Sequence, residues 1–209
     1  MKPVLANLGF ILQINGLLMA VPIIIAFYLN EPRALDSFLI TAVVSLTAGF
    51  LFNALCERKE LDFRYSCMLL TIAYFLVGLV GCIPYVYLNI FANHDAVSRF
   101  TNGYFESISG FTTTGFSLIR DVDVLPKSIL FYRSMTQWIG GIGIIFILLG
   151  FFYSSEEITH FIKTLGIERI GRNLKTLLAF ILFVYTVYLI IFTPIVYFII
   201  IADPVKAVS

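Results

Sequence analysis

Long apolar segments alternate with shorter polar ones along most of the chain. A helix rises about 1.5 Å per residue, so about 20 apolar residues cross the roughly 30 Å hydrocarbon layer of a membrane. The segments that reach this length are 4–29, 37–56, 65–91, 128–152 and 176–201. Prolines inside them (Pro22, Pro84 and Pro194) are tolerated where neighbouring helices take up the freed carbonyls. The pattern predicts an all-α integral membrane protein that is kinked at these prolines.

The polar interval 92–127 contains a short helical pattern of its own. Thr101 or Asn102 is a candidate N-cap for this helix, and Gly110 is a candidate stop. A helix of about nine residues is only about half a bilayer long, which is typical of a re-entrant segment. The apolar residues that share one face of it are Phe100, Tyr104, Phe105, Ile108 and Phe111.

Composition narrows the class of protein further. Hydrophobic residues make up 59% of the chain and charged residues 13%, which is more apolar surface than a soluble domain of 209 residues can bury. A net charge of +1 without a basic block argues against nucleic acid as a partner. His94 and His160 are isolated, so we expect no metal centre. We also expect no cofactor and no enzyme active site, and we interpret Cys56, Cys67 and Cys82 as packing residues.

Basic residues in short loops indicate the orientation of a membrane protein. They cluster in loops 57–64 and 153–175, which are therefore predicted to be cytoplasmic. By alternation, 30–36 and 92–127 lie outside, and the N-terminus is cytoplasmic. The first apolar segment is too long for a signal peptide and lacks a small-residue cleavage site, so we expect it to be retained.

Loop 153–175 begins with Ser154-Ser155-Glu156-Glu157, a capping box, and continues with helical apolar spacing to Gly166. This pattern predicts an amphipathic helix along the inner membrane surface. The helix is either a plain connection or a docking site for a cytosolic partner, and the sequence leaves both open.

Residues 109–117, Ser-Gly-Phe-Thr-Thr-Thr-Gly-Phe-Ser, directly follow the short helix. Backbone carbonyls and threonine hydroxyls in a row supply the oxygens that a dehydrating cation needs. Gly115 offers a dihedral that other residues resist, and the short helix aims its negative C-terminal end at the ion. The alternative is an ordinary turn after a helix, but a re-entrant position favours a pore.

Two motifs resemble a known family. They are residues 105–115, Phe-Glu-Ser-Ile-Ser-Gly-Phe-Thr-Thr-Thr-Gly, and residues 130–145, Leu-Phe-Tyr-Arg-Ser-Met-Thr-Gln-Trp-Ile-Gly-Gly-Ile-Gly-Ile-Ile. In this order they are similar to the Trk/Ktr family of potassium uptake transporters. Members have four covalently linked repeats around one pore, each made of a helix, a re-entrant pore loop and a second helix. The resemblance covers essentially the whole chain.

The resemblance implies a domain organisation. It assigns 1–60 to a leading transmembrane helical pair, 61–152 to the first helix–pore loop–helix repeat, 153–175 to a cytoplasmic connection and 176–209 to the first helix of a second repeat. Because Ser209 precedes any second pore loop, we expect a chain truncated within the second repeat. Conduction would then need the remaining repeats or other protomers. The resemblance also implies membrane lipid and a cytosolic nucleotide-binding regulatory subunit as partners.

The resemblance also assigns an ion-binding selectivity filter, in which potassium is the only metal. Its residues are Thr112, Thr113, Thr114, Gly115, Phe116 and Ser117. In related plant transporters a serine at the Gly115 position goes with sodium preference, so glycine implies potassium. Phe116 departs from the small residue expected there, which leaves the fine selectivity open.

Arg133 lies about one and a half turns into the fourth apolar segment, where an unpaired charge is costly. We predict that it pairs with Glu106 and that the pair braces the filter without touching the ion. The alternative is that Arg133 extends to the outer membrane interface.

Residues Gly140, Gly141 and Gly143 lie inside the same apolar segment, and no strand precedes them. They are therefore not a dinucleotide-binding motif, and close helix packing is the better interpretation. Trp138 is interpreted as a packing anchor.

The sequence therefore predicts a multi-pass protein of the bacterial inner membrane that takes up potassium by contributing one filter strand to a four-repeat pore. The alternative is a non-conducting truncated remnant or scaffold. A membrane-embedded enzyme ranks last, because Arg133 is the only candidate for an ionisable residue inside the membrane.

Overall fold

The computed structural model describes residues 2–55, 63–91, 95–122, 124–152, 179–180, 182–188 and 190–191. No β-strand occurs within these residues, which confirms the predicted all-α class. The chain divides into two compact units, Met1–Ile147 and Leu148–Ser209, and every contact discussed below lies within the first. The helices between residues 2 and 152 are α1 (Lys2–Leu18), α2 (Ala20–Tyr28), α3 (Pro32–Leu55), α4 (Phe63–Gly81), α5 (Ile83–Tyr87), α6 (Ala96–Phe111) and α7 (Lys127–Phe152).

Within the described residues, three helical spans are long and apolar enough to cross a membrane: Val4–Tyr28, Pro32–Leu55 and Met68–Tyr87. They correspond to the first three predicted segments. In each span, between 28% and 44% of the most apolar stretch of 18 residues is buried within the chain. The remaining apolar surface is left for lipid, so the chain is a multi-pass integral membrane protein.

The last two predicted segments differ in how far the structure describes them. Helix α7 covers the fourth, 128–152. Of the fifth, 176–201, residues 179–180, 182–188 and 190–191 are helical, whereas Pro194 lies outside the described residues. The predicted helix in 153–175 lies wholly outside them.

Two of the predicted proline sites coincide with interruptions of a helix. The first span is interrupted at Met19, three residues before Pro22, and the third at Cys82, two residues before Pro84. Proline has no N–H to donate to the carbonyl four residues earlier, so each interruption falls inside the turn that loses a hydrogen bond.

Helices α1 and α3 pack at close range through small residues. A Cβ on Gly9 would lie 2.7 Å from the carbonyl oxygen of Gly49, and a Cβ on Gly49 would lie 2.6 Å from that of Gly9. One buried side-chain hydrogen bond joins the same two helices, from Asn15 Nδ2 to Ser45 Oγ at 3.1 Å. Small residues that let backbones approach are typical of helix contacts in membranes.

Helix α6 is longer than predicted. It runs from Ala96 to Phe111, which is 16 residues and about 24 Å. The N-cap is Asp95, not Thr101 or Asn102, because the Asp95 carboxylate accepts hydrogen bonds from the N–H and the hydroxyl of Ser98. These bonds lower the pKa of Asp95 below its ordinary value of 3.8.

The predicted stop of α6 at Gly110 is wrong by one residue. Burial of this helix also does not follow its apolar pattern, because Glu106, Ser107 and Gly110 are buried while Phe105 is 41% exposed. An inward polar face with aromatic residues outside suits a helix surrounded by apolar material.

An aromatic cluster fixes α7 beside α3 and α5. The Tyr132 ring centroid lies 5.4 Å from that of Phe38 and 5.9 Å from that of Tyr85. All three side chains are buried. The Tyr132 hydroxyl donates to the carbonyl of Gly81 at 3.0 Å, so the end of α4 is tied to the same cluster. These contacts position the two helices that flank the candidate site.

Candidate functional site

Helix α6 ends in a Schellman motif. The N–H of Thr113 donates to the carbonyl of Gly110, and the N–H of Thr114 donates to that of Ser109, each at 3.0 Å. These two bonds satisfy carbonyls that a helix end otherwise leaves open. The chain leaves the helix in a fixed direction and continues as irregular backbone from Thr114 to Ile119.

Two residues of this segment have a left-handed backbone. Gly115 has φ +78°, which matches its expected role, and no atom lies within 4 Å of the position that a Cβ would take. Thr113 has φ +57° in the position of the motif that glycine usually fills. A β-branched residue in this region is strained by about 1–3 kcal/mol and occurs mostly at functional sites. The left-handed backbone of Thr113 is not predictable from the sequence pattern.

The segment presents free carbonyl oxygens. Among the described residues, no donor reaches the carbonyls of Thr113, Thr114 or Gly115. The side chains of residues 113–118 are exposed in the chain, with Phe116 at 70%. Unpaired carbonyls are costly in an apolar setting unless a ligand or water takes their place.

The carbonyl of Phe116 differs from these three. It accepts a hydrogen bond of 2.6 Å from the hydroxyl of Ser109, which lies on α6 and is 5% exposed. Ser109 therefore contacts the segment twice, because its own carbonyl accepts from the N–H groups of Thr114 and Gly115. Ser109 belongs to the motif of residues 105–115, but the sequence pattern predicts no role for its hydroxyl.

Glu106 holds the far end of the segment. Its side chain is buried, and Oε1 accepts hydrogen bonds from the Ser117 hydroxyl at 2.9 Å and from the N–H groups of Leu118 and Ile119. A carboxylate that accepts several donors can replace the hydrogen bonds that irregular backbone lacks. One buried side chain thus fixes three consecutive residues.

Arg133 lies on the other side of the same carboxylate. Its Nη2 atom is 3.3 Å from Glu106 Oε2, and 20% of the Arg133 side chain is exposed. The predicted pair is therefore present, on α6 and the second turn of α7. Because Glu106 faces both Arg133 and the backbone after Ser117, the pair links α7 to the end of the segment.

The threonine hydroxyls are partly engaged. Thr112 Oγ1 lies 2.7 Å from the carbonyl of Ile108, to which it donates, and 2.8 Å from Thr114 Oγ1. Thr112 is the C-cap of α6 and is half-buried, whereas Thr113 and Thr114 are exposed. Thr112 is thus a structural part of the helix end, and the exposed oxygens begin at Thr113.

The glycines of α7 provide close packing. A Cβ on Gly140 would lie 2.7 Å from the carbonyl carbon of Phe111 and closer still to its oxygen, so α7 passes directly against the end of α6. A Cβ on Gly143 would lie 3.1 Å from the Tyr74 hydroxyl. Trp138 and Gly141 are half-buried on the same helix.

The start of α7 is held by a residue that the sequence analysis missed. The Glu31 carboxylate accepts hydrogen bonds from the N–H of Lys127 at 2.8 Å, the N–H of Ser128 at 3.1 Å, and the Ser128 hydroxyl. A carboxylate at a helix N-terminus satisfies open N–H groups and suits the helix dipole. No local pattern reveals these contacts, because the partners are 96 and 97 residues apart.

Comparison with known proteins places the chain in a family. Residues 36–203 match the family of cation transport proteins described as TrkH. The chain belongs to the TrkH family. This agrees with the resemblance carried by residues 105–115 and 130–145. The matched region contains α4 to α7 and all but the first four residues of α3.

Curated relatives of this chain in the TrkH family come from archaea and bacteria. An uncharacterised cation transporter of Methanocaldococcus jannaschii is 40% identical over 143 residues, which cover 68% of this chain and 28% of the relative. The Trk system potassium uptake protein TrkH of Halomonas elongata is 31% identical over 147 residues, covering 69% and 29%. The protein of the same name from Escherichia coli K12 is 38% identical over 89 residues, covering 43% and 17%. The chain thus spans less than a third of the length of these relatives.

Metal centres of the usual kind are not found in the described part of the chain, where no three His, Cys, Asp or Glu side chains come together. His94 and His160 lie outside the described residues.

Proposed function

We propose that this chain contributes one selectivity-filter strand to a potassium-conducting pore and so takes part in potassium uptake across the cytoplasmic membrane. The observation that carries the proposal is the row of carbonyl oxygens at Thr113, Thr114 and Gly115, which no donor of the described residues reaches and which directly follows the C-terminal end of α6. Potassium is large and gives up its water to rings of such oxygens. The names of the relatives from Halomonas elongata and Escherichia coli, both potassium uptake proteins, support the choice of ion.

Electrostatics favours a weak and reversible site. The buried carboxylate of Glu106 is paired with Arg133 and accepts hydrogen bonds from the Ser117 hydroxyl and two backbone N–H groups, so it does not bind the ion directly. The ion then meets carbonyl dipoles and the negative end of α6, not a full charge. Conduction needs an ion to bind firmly enough to enter and weakly enough to leave, and a row of carbonyl dipoles suits this requirement.

The rest of the pore follows from the same proposal. One strand forms a quarter of a coordination cage, so three further strands come from other repeats or protomers. Residues 61–152 form the first helix–pore loop–helix repeat, residues 1–60 a leading pair, and the N-terminus lies in the cytoplasm. A cytosolic nucleotide-binding partner would dock at the basic loop 163–175, which is outside the described residues.

Growth of a bacterial strain that lacks potassium uptake tests this function. The chain is expressed with and without the remaining repeats, and growth is measured across a series of potassium concentrations. We expect rescue when the repeats are supplied together. Gly115→Ser weakens the rescue, because any side chain at φ +78° strains the backbone that aligns the carbonyls.

The matched control is Thr101→Ser, an exposed change on α6 that keeps the hydroxyl donating to the carbonyl of Val97. It should leave growth unchanged. If no combination restores growth although the chain is found in the membrane, the transport proposal is wrong and a non-conducting scaffold replaces it.

A further inference from the structure

The filter segment is not uniform along its length. The carbonyls of Thr113, Thr114 and Gly115 have no donor within the described residues, whereas the carbonyl of Phe116 is 2.6 Å from the Ser109 hydroxyl. Ser109 lies in the last turn of α6 and is almost fully buried. An oxygen bonded to a buried hydroxyl of α6 faces that helix, so the row of free oxygens that begins at Thr113 is interrupted at Phe116.

We propose that the Ser109 hydroxyl is a specificity-determining, positioning group that holds the Phe116 carbonyl away from the ion. This inference rests on the proposed function and adds one detail to it. The first repeat offers an ion the carbonyls of Thr113, Thr114 and Gly115 and none at the level of Phe116. At that level a potassium ion keeps a water molecule on the side of this repeat.

The hydrogen bond from the Ser109 hydroxyl is well placed to hold the Phe116 carbonyl away from the ion. A carbonyl oxygen has a second lone pair, but turning it towards an ion would rotate the backbone at Phe116 and leave the Ser109 hydroxyl buried without an acceptor. The neighbouring bonds oppose such a rotation. Gly115 N–H is bound to Ser109 on one side, and the Ser117 hydroxyl is bound to Glu106 on the other. The Phe116 peptide is therefore held from both sides.

The consequence is a weaker ion position at the outer end of the strand, beyond Gly115. An ion that meets fewer oxygens there is bound less tightly and exchanges faster with the outside. Loss of the hydroxyl releases the Phe116 carbonyl to become an additional ligand. Binding then strengthens and release slows.

The test compares Ser109→Ala with two controls in the transporter assembled from this chain and the remaining repeats. Initial rates of potassium uptake give KM and the maximal rate for each variant. We expect Ser109→Ala to lower KM about fivefold without raising the maximal rate, a change that matches one hydrogen bond. Loss of fold would reduce the maximal rate but would not lower KM.

Two controls distinguish loss of the Ser109 hydroxyl from other effects of a substitution in α6. Ser107→Ala makes the same substitution on the same helix at a buried hydroxyl that has no partner among the described residues, so KM should stay unchanged. Ser109→Thr keeps the donor and should retain the KM of the unsubstituted protein. An equal fall in KM for Ser107→Ala, or an unchanged KM for Ser109→Ala, overturns the inference while leaving the proposed function in place.

Absence of uptake by the unsubstituted assembly is a different result, because it overturns the proposed function and the inference with it.

If Ser109→Ala does not reach the membrane, the inference is tested by a structure of the unsubstituted assembly with Tl⁺, a heavy substitute for potassium. Tl⁺ beside Thr113 to Gly115, with the Phe116 carbonyl still on Ser109, supports the inference. Tl⁺ bound directly to the Phe116 carbonyl oxygen contradicts it.

Discussion

The α1–α3 pair and the region around the end of α6 are stabilised by different kinds of contact. In the pair, glycine backbones approach each other at Gly9 and Gly49, and the side-chain hydrogen bond from Asn15 to Ser45 crosses between the helices. After α6, two side chains, Glu106 and Ser109, bind the backbone of a segment that has no regular structure. Shape complementarity dominates the first region, and hydrogen bonds from side chains dominate the second.

The difference follows from what each backbone needs in an apolar environment. A helix satisfies its own N–H and C=O groups, so two helices need only fit together. Irregular backbone must find partners elsewhere, and each buried group that fails to do so costs about 1–3 kcal/mol. On the proposed function, the segment leaves some carbonyls free for ions, and the backbone groups after them are fixed by side chains such as Glu106.

The largest effect that this comparison predicts is at Glu106. Glu106→Gln removes the charge that pairs with Arg133 and weakens the bonds to Ser117, Leu118 and Ile119. Breaking a buried ion pair from one side costs about 3–5 kcal/mol. We expect the lower end of this range, because Arg133 is partly exposed. The thermal midpoint of the purified chain in detergent measures the loss.

Arg133→Gln should cost less than Glu106→Gln, because the Glu106 carboxylate keeps its hydroxyl and N–H donors. The double variant should cost less than the sum of the two single changes, by at least about 0.5 kcal/mol. Additive losses would mean that the two side chains do not stabilise each other. That result would leave Glu106 as a backbone cap alone.

The sequence indicates these regions to different degrees. Hydropathy locates α1 to α4 because lipid exposure demands long apolar runs, and the cost of an unpaired Arg133 points to Glu106 on the neighbouring short helix. The start of α6 could not be predicted from its apolar pattern, since Asp95 caps the helix one turn before Phe100. The hydroxyl of Ser109 has no signature either, because its acceptor is fixed only when the chain turns after α6.

The remaining long-range contact was also beyond reach of the sequence alone. Charged residues are common in loops, so the presence of Glu31 in one does not reveal its partner. Its bonds to Lys127 and Ser128 depend on how α3 and α7 are arranged. Contacts with a local or energetic cause were predictable. Contacts that depend on the tertiary arrangement were not.

The second-largest predicted effect is the destabilisation caused by adding a methyl group at one glycine in each region. Gly140→Ala brings a methyl group against the Phe111 carbonyl at the end of α6, and Gly49→Ala brings one to 2.6 Å from the Gly9 carbonyl. Backbone atoms yield little, so each change costs about 1–3 kcal/mol by overpacking. We expect both to lower the thermal midpoint, with the larger drop for Gly140→Ala, whose contact is closer.

The two glycine variants should differ in transport. Only Gly140→Ala displaces the helix end from which the filter segment starts, so only this variant should change the ratio of potassium to sodium uptake. Gly143→Ala is the matched control on α7, because its methyl group would meet the end of the Tyr74 side chain, which can move. An altered ion ratio in Gly49→Ala would mean that the two regions are not separate in function.

The smallest predicted effect concerns the hydrogen bond between α1 and α3. Asn15 Nδ2 donates to Ser45 Oγ, but within the described residues no donor reaches Asn15 Oδ1, although Asn15 is buried. A half-satisfied buried amide contributes little, and replacing both partners with apolar groups is nearly neutral. The double variant Asn15→Leu with Ser45→Ala should therefore keep the thermal midpoint, or raise it slightly.

If this double variant destabilises the chain as much as Glu106→Gln does, polar contacts are as important to the helix pair as to the filter region. The contrast between packing by shape and fixation by hydrogen bonds would then be wrong, because a helix with a satisfied backbone would still depend on its side-chain bond.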